Sequence, residues 1–165
     1  MTYGGTLRPT IAPGTRKLDW SDLEWLVASE RIKQAKARYC YCLDIKDWDG
    51  YAAVYAEDAV LEVPAHGDDG PHRVEGRTAI RNFVMASVDS VVTTHQCHAP
   101  VIDFVSTREA LVAWPMEDML RFPDNYPLKI KTLHGMGHYF ERYRRIGDDW
   151  LIAHNLLARL RLEVT

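Results

Sequence analysis

The sequence has no long hydrophobic run. Its longest stretch free of Asp, Glu, Lys and Arg extends only from Ser90 to Ile102, far short of the roughly 20 apolar residues that a membrane-spanning helix needs, so no span is predicted. Met1-Thr-Tyr-Gly-Gly-Thr-Leu-Arg-Pro-Thr-Ile lacks an apolar block behind a basic end, so no secretory leader is predicted and the cytoplasm is the expected location. Cysteine is scarce: Cys40, Cys42 and Cys97 are too few for a disulfide framework, Cys40-Tyr-Cys42 lacks the CxxC spacing, and packing is the role expected of all three. An excess of charge is also missing. With 20 basic and 23 acidic side chains the formal charge is −3, which argues against general attraction to phosphate backbones, and no nucleic-acid partner is expected. HExxH, an EF-hand loop, GxGxxG and GxxxxGKS/T are absent too, and with them the short-motif routes to zinc, calcium, dinucleotide and nucleoside triphosphate chemistry.

What is present is enough apolar material, 47% of 165 residues, for one domain with a real core. Gly4, Gly5, Pro9, Pro13 and Gly14 mark residues 1–20 as an irregular N-terminal arm, leaving 21–165 as the folded unit. Ser21 followed by Glu24 is a capping-box signature, and Leu23, Leu26, Val27, Ile32, Ala35, Tyr39, Cys42 and Leu43 continue a helical repeat, broken or not near Ala28, with Arg31, Lys33, Lys36 and Arg38 on its wetter side. A second helix is expected over Trp48–Tyr55, a strand over Ala59–Val63, a turn-rich rim loop over His66–Arg73 and a third helix over Gly76–Val84. The rest reads as sheet: Val91–Thr94, Val101–Val105, Ala110–Trp114, Lys129–Ile146 and Trp150–Leu162, the last two joined through Gly147-Asp148-Asp149. Strict alternation in the last strand puts Trp150, Ile152, His154, Leu156, Ala158, Leu160 and Leu162 on one face and Leu157 and Arg159 on the other. The expected fold class is α+β, with a curved, mostly antiparallel sheet wrapped around N-terminal helices and bending at bulges or at Gly135 and Gly137.

Among candidate chemical groups, Asp44 has Tyr41 three residues before it and Trp48 four after, so a continuing helix would set its carboxylate among aromatic rings. A buried Asp44 then requires a partner; the alternative is a helix-end carboxylate in water. His95 ends a strong strand signal, and a histidine with one ring nitrogen held by an aspartate can take a proton on the other near neutral pH. A structural role for this histidine is equally open from spacing alone. His134 and His138 share a strand face about 13 Å apart, poor geometry for one metal, and no metal site is expected. Arg142, Arg144 and Arg145 read as a solvated sheet surface. Asp118 and Arg159, each in a strand among apolar neighbours, are candidate polar groups of a pocket or an interface.

Ile32-x6-Tyr39-x4-Asp44-x3-Trp48-x2-Tyr51, Tyr55-Ala-Glu-Asp-Ala59, Val74-Glu-Gly76-Arg-Thr-Ala-Ile80, Thr93-Thr-His95 and Tyr143 before Asp149-Trp150 together resemble the SnoaL-like branch of the NTF2-like superfamily over about residues 21 to 162. Within it the chain looks most similar to the group holding scytalone dehydratase, bile-acid 7α-dehydratase and hexachlorocyclohexane dehydrochlorinase. That resemblance implies a cone-shaped cavity, an Asp–His dyad at Asp44 and His95, a pocket tyrosine at Tyr39, further polar pocket residues at Asp118 and Arg159, no metal or organic cofactor, and a homo-oligomer, a trimer before a dimer. Tyr41, Trp48, Tyr51, Tyr55, Phe104, Met116 and Phe140, with Met119, are expected to supply the rest of the pocket. The implied activity is elimination of water or another small leaving group from a hydrophobic cyclic or aromatic molecule. Isomerisation of the ketosteroid type or polyketide-type cyclisation is the nearest alternative, and a non-catalytic ligand-binding or assembly protein is the third.

Overall fold

The first helix begins where its cap dictates. In the computed structural model, which describes residues 18–64, 72–127 and 129–165, the Glu24 backbone N–H donates to Ser21 Oγ at 3.2 Å and the Ser21 N–H donates to the Glu24 carboxylate at 2.7 Å. These reciprocal bonds satisfy two end donors. Helix α1 (Asp22–Ile45) then runs unbroken through Ala28. Its buried stripe is Ala28, Ser29, Ile32, Ala35, Lys36, Tyr39, Cys42 and Leu43, spaced as one face of a 3.6-residue helix. Lys46 stops the helix in the left-handed region at φ 64°, a conformation that is costly for a side chain with a Cβ. This stop turns the chain away immediately after Asp44, so Trp48 is not on the same helix.

Helix α2 (Trp48–Ala53) ends before Tyr55, which instead opens strand β1 (Tyr55–Val63). Strand β2 (His72–Glu75) takes up His72 and Arg73, read above as loop; residues 66–71 of that rim loop, and 1–17 of the N-terminal arm, lie outside the described residues. Helix α3 (Arg77–Val88) is followed by β3 (Val92–Cys97), β4 (Val101–Ser106), β5 (Glu109–Arg121), β6 (Thr132–Ile146) and β7 (Asp149–Val164). The sheet order is β2-β1-β7-β6-β5-β3, with β4 also on β5; β1 and β7 are parallel and the other pairs antiparallel. The expected α+β architecture is present. Leu18 and Trp20, at the end of the arm, pack against the core.

Strand β5 continues through Pro115, where the sequence pattern had ended it at Trp114. In extended chain a residue's nitrogen and carbonyl project to the same edge, and Pro115 O accepts from the His98 N–H at 2.9 Å. The missing proline donor therefore falls where β5 changes partner from β3 to β4, a place that needs no ladder bond. The tight β6–β7 hairpin uses Gly147 at φ +61°, a conformation that glycine adopts without steric penalty.

Alternation along β7 fails for a definite reason. Its pairing with β6 slips between Arg142 and Tyr143 and again between Met136 and Gly137, leaving Ala153 and Leu160 as extra residues. Each bulge inverts the inward phase. The core side passes from Trp150 and Ile152 to Ala153, Asn155 and Leu157, and the second slip lets Leu162 join Leu157 and Arg159 around a common cavity.

Lys36 is not on the wet side of α1. It is 1% exposed, and its Nζ donates to Glu141 Oε1 at 2.6 Å while Glu141 Oε2 accepts from the Tyr143 hydroxyl at 2.7 Å. The ammonium also lies 3.7 Å and 3.6 Å from the ring centroids of Tyr39 and Tyr139. A buried charge persists only when paired in this way. Lys36→Met alone is expected to cost about 3–5 kcal/mol by stranding Glu141, and Lys36→Met with Glu141→Gln to recover a large part of that loss. Urea unfolding midpoints of the two variants check the order.

Candidate active site

The bond that joins helix to sheet is made by Asp44, in the last turn of α1, and His95, in the middle of β3. His95 Nδ1 lies 2.6 Å from Asp44 Oδ1, and the His95 backbone N–H donates to Asp44 Oδ2 at 2.9 Å. The Thr93 hydroxyl donates to Oδ1 at 2.9 Å and accepts from Lys46 Nζ at 2.9 Å. Burial pushes the Asp44 carboxyl up, but the hydrogen bonds from the His95 ring and backbone, the nearby imidazole and the Thr93 hydroxyl outweigh it and hold the group below its ordinary value of 3.8. Asp44 is therefore an acceptor only, which assigns the proton of the neutral imidazole to Nδ1 and leaves the lone pair on Nε2. The same αL stop that removes Trp48 from the helix brings Lys46 back over Thr93.

A cavity of about 610 Å³ lies between α1, α3 and the concave face of the sheet. His95, Tyr39, Tyr51, Asp118, Tyr139 and Arg159 line it together with apolar side chains including Leu43, Phe83, Leu120, Phe122, Tyr126, Ile130, Leu133, Leu157 and Leu162. Asp44 stands behind His95 and does not line it. Burial above all, reinforced by Tyr139 and Tyr51, drives the Tyr39 hydroxyl well above its ordinary pKa; burial likewise takes Tyr51 up to about 12. Both phenols are hydrogen-bond donors across the working pH range.

His95, Asp118, Gly135 and Leu162 are register partners in one row across β3, β5, β6 and β7. Arg159, beside the β7 bulge, reaches across Gly135 and donates from Nη1 and Nη2 to the two Asp118 oxygens at 2.6 Å each. This is the bidentate fork that favours arginine over lysine. A Cβ at Gly135 would overlap Arg159 Nη1 and Asp118 Oδ1. The glycine, expected as a bend, thus makes room for the ion pair. Burial lowers the Arg159 pKa, but the hydrogen bonds and charge of Asp118 outweigh it and raise the net value.

Of the remaining pocket candidates, the structure places Tyr51 on the wall and the others elsewhere. Tyr41 is 64% exposed on the outer face of α1. Trp48 donates from its indole N–H to Asp89 at 2.9 Å, outside the cavity. Tyr55 is buried behind Tyr51, with the two hydroxyls 3.1 Å apart. Phe104 belongs to a separate cluster, its ring centroid 5.0 Å from Trp20 and 5.6 Å from Trp150. Met116 is buried beneath Arg159, its sulfur 3.9 Å from Nη1. Phe140 stacks on His138 on the outward face of β6 at 5.8 Å, and Met119 is exposed. The period of two explains the Phe140 error: Leu133, Gly135, Gly137, Tyr139, Glu141 and Tyr143 face inward. Counting from Gly135 would have found Tyr139, which the sequence reading missed along with Thr93 and Lys46.

His134 pairs with Glu117 at 2.5 Å and does not converge with His138; among the described residues no three His, Cys, Asp or Glu side chains form a group able to hold a metal ion. Arg142 pairs with Glu109 and Arg144 with Asp58 on the exposed sheet surface. No helix among the described residues is long and apolar enough to cross a membrane.

The sequence model of the SnoaL-like domain matches residues 25–155. A solved structure named as a candidate scytalone dehydratase from Novosphingobium aromaticivorans superposes with TM-score 0.75 and 22% identity, over 87% of this chain and 91% of that one. The hexachlorocyclohexane dehydrochlorinase LinA-type3 from Novosphingobium barchaimii gives TM-score 0.73 and 14% identity, over 88% and 94%. A variant of Rv3472 from Mycobacterium tuberculosis, a protein of unknown function, gives 0.69 and 24%, over 84% and 75%.

Two outcomes are expected from this geometry. Because the folded-state pKa of Asp44 is depressed, its contribution to stability is complete above the ordinary carboxylate value and is lost as pH falls through the folded one. Unfolding free energy measured against pH should therefore fall less steeply on the acid side in Asp44→Asn than in the parent chain. Gly135→Ala should displace Arg159 from Asp118 at a cost of about 1–3 kcal/mol, visible as a lower denaturation midpoint and as a broken pair in a crystal structure.

Proposed function

The chain belongs to the SnoaL-like family, and from that premise we propose that it is a lyase that uses its own side chains, without a metal or organic cofactor, to eliminate water or another small leaving group from a hydrophobic cyclic molecule. One observation carries the reading: the His95 imidazole lines an apolar cavity while Asp44 holds its Nδ1 at 2.6 Å, leaving Nε2 for substrate. A cavity of about 610 Å³ falls within the usual range for small-molecule sites. The names of two similar structures, a candidate scytalone dehydratase and a dehydrochlorinase, support elimination as the reaction class.

In this mechanism Nε2 takes a proton from the carbon next to the one bearing the leaving group. The C–H electron pair becomes the new double bond as the bond to the leaving group breaks. Asp44 stabilises the imidazolium and keeps the ring in the required tautomer. Tyr39, protonated and buried, donates a hydrogen bond to the oxygen on which charge develops. Departing hydroxide leaves as water after receiving a proton from the imidazolium or from Tyr39; in the latter case the imidazolium returns the proton to the phenolate. The free N–H groups of Arg159, whose charge Asp118 balances, orient neutral oxygen functions of the substrate. Within the folded unit over 21–165, the exposed Val92, Val101, Val105 and Leu160 of the sheet are the surface through which we propose that copies associate, as a trimer before a dimer.

The test is turnover of a panel of cyclic β-hydroxyketones, alcohols and halides, with products identified by mass spectrometry. His95→Ala should lower kcat by about 10²–10⁴-fold with the fold intact, Asp44→Asn should reduce it through loss of the tautomer, and chelator treatment should leave it unchanged. Full activity in His95→Ala, or recovery only with one particular metal, would overturn the mechanism. Products of unchanged mass with a moved double bond would replace elimination by isomerisation.

A further inference from the structure

Two thiols that the mechanism does not use meet one helical turn from the dyad. Cys40 follows Tyr39 on α1 and precedes Asp44 by four residues; Cys97 ends β3 two residues after His95. Their sulfurs are 3.8 Å apart although the residues are separated by 57 positions in the chain. Both side chains are half-buried, so a small oxidant reaches them without unfolding. The third thiol, Cys42, is buried and turned toward Asp47, with 3.7 Å between its sulfur and Oδ2.

We propose that Cys40 and Cys97 are a site of reversible oxidative modification, a dithiol that hydroperoxides convert to a disulfide stapling the helix of Asp44 to the strand of His95. The sulfurs need to close by about 1.8 Å to reach bonding distance. The bond would join two packed elements, α1 and β3, so the closure falls to rotation of the two side chains.

The chemistry assigns the roles. The hydrogen bond from the Cys97 thiol favours the thiolate of Cys40, burial opposes it, and the buried Lys36 ammonium adds to the first effect, so that Cys40 is lowered. Hydrogen bonding to Cys40, followed by burial, raises Cys97. In the proposed order Cys40 attacks first. It displaces water from hydrogen peroxide and becomes a sulfenic acid, the O–O bond breaking as the S–O bond forms. Cys97 then attacks that sulfur, expels a second water and closes the disulfide. The pair loses two electrons and two protons overall, and the peroxide is reduced to two waters.

The experiment uses the full chain treated with a small excess of hydrogen peroxide. Accessible and buried thiols counted after denaturation should fall from three to one, the intact mass should drop by two hydrogens, and dithiothreitol should restore both. In the Cys42→Ser chain, peptide mapping should join the segments holding Cys40 and Cys97, and Tm should rise by roughly 5–10 °C on oxidation because a long loop is closed. Cys97→Ala, folded by circular dichroism, should lose the cross-link and leave Cys40 as a sulfenic acid trapped by a dione reagent. The proposal fails if all three thiols persist, if Cys40 of the parent chain proceeds to sulfinic acid without a cross-link, or if Cys40 pairs with Cys42 or with another chain.

Discussion

Everything near the cavity depends on one hydrogen bond between two elements that the chain connects only through some fifty intervening residues, the contact of the Asp44 carboxylate with the His95 ring. Its helix end is fixed by the αL stop at Lys46 and its sheet end by the β3–β5 ladder. The carboxylate grips both the ring and the backbone of His95, so rotating the imidazole breaks its bond to Asp44. This rigidity separates a histidine aimed at a cavity from one that fills a core. It also explains why Thr93 and Lys46 stand behind the pair: an ionised group taken partly out of water needs its remaining lone pairs occupied.

The second constraint is the shape of the sheet. A flat antiparallel sheet offers one smooth face, whereas two extra residues in β7 twist this one and return Leu157, Arg159 and Leu162 to its concave side. Gly135 leaves a gap through which the guanidinium reaches Asp118. Behind this polar row, Lys36 and Glu141 form a second buried pair under the Tyr39 and Tyr139 rings. The inner cavity thus has tyrosines and the Asp118–Arg159 pair on its surface and the Lys36–Glu141 pair beneath the tyrosines, while aliphatic and aromatic side chains form most of the remaining wall.

Local signals in the sequence carried much of this. The capping box at Ser21, the apolar stripe of α1 from Ile32 to Leu43, the helix after Gly76 and the β6–β7 hairpin each follow from interactions within a few residues and are present, whereas Leu23, Leu26 and Val27, read into the same stripe, are exposed on the first turns of α1. Tyr39, Tyr51, Asp118 and Arg159 line the cavity and Asp44 sits beside His95; family resemblance pointed to Tyr39 and to the Asp44–His95 pair, a strand setting among apolar neighbours had already marked Asp118 and Arg159, and spacing alone left Asp44 between water and a partner. The errors arose where a distant contact reversed a local rule. Lys36 looked solvated because its partner is 105 residues away. Tyr41, Trp48, Tyr55, Phe104, Met116 and Phe140 were all apolar enough for a pocket, yet helix termination, strand phase or competing aromatic packing sent them elsewhere. Bulges in β7 are invisible to strict alternation, since they appear only when β6 is laid alongside.

The claim on which the rest stands is that Asp44 fixes the tautomer of His95 so that Nε2 presents a lone pair to the cavity. Nitrogen-15 NMR of the His95 ring in its neutral form reads this directly. The account predicts a proton on Nδ1 with scalar coupling only at that nitrogen, converting toward the opposite tautomer in Asp44→Asn. A neutral His95 protonated on Nε2 in the parent chain would contradict it.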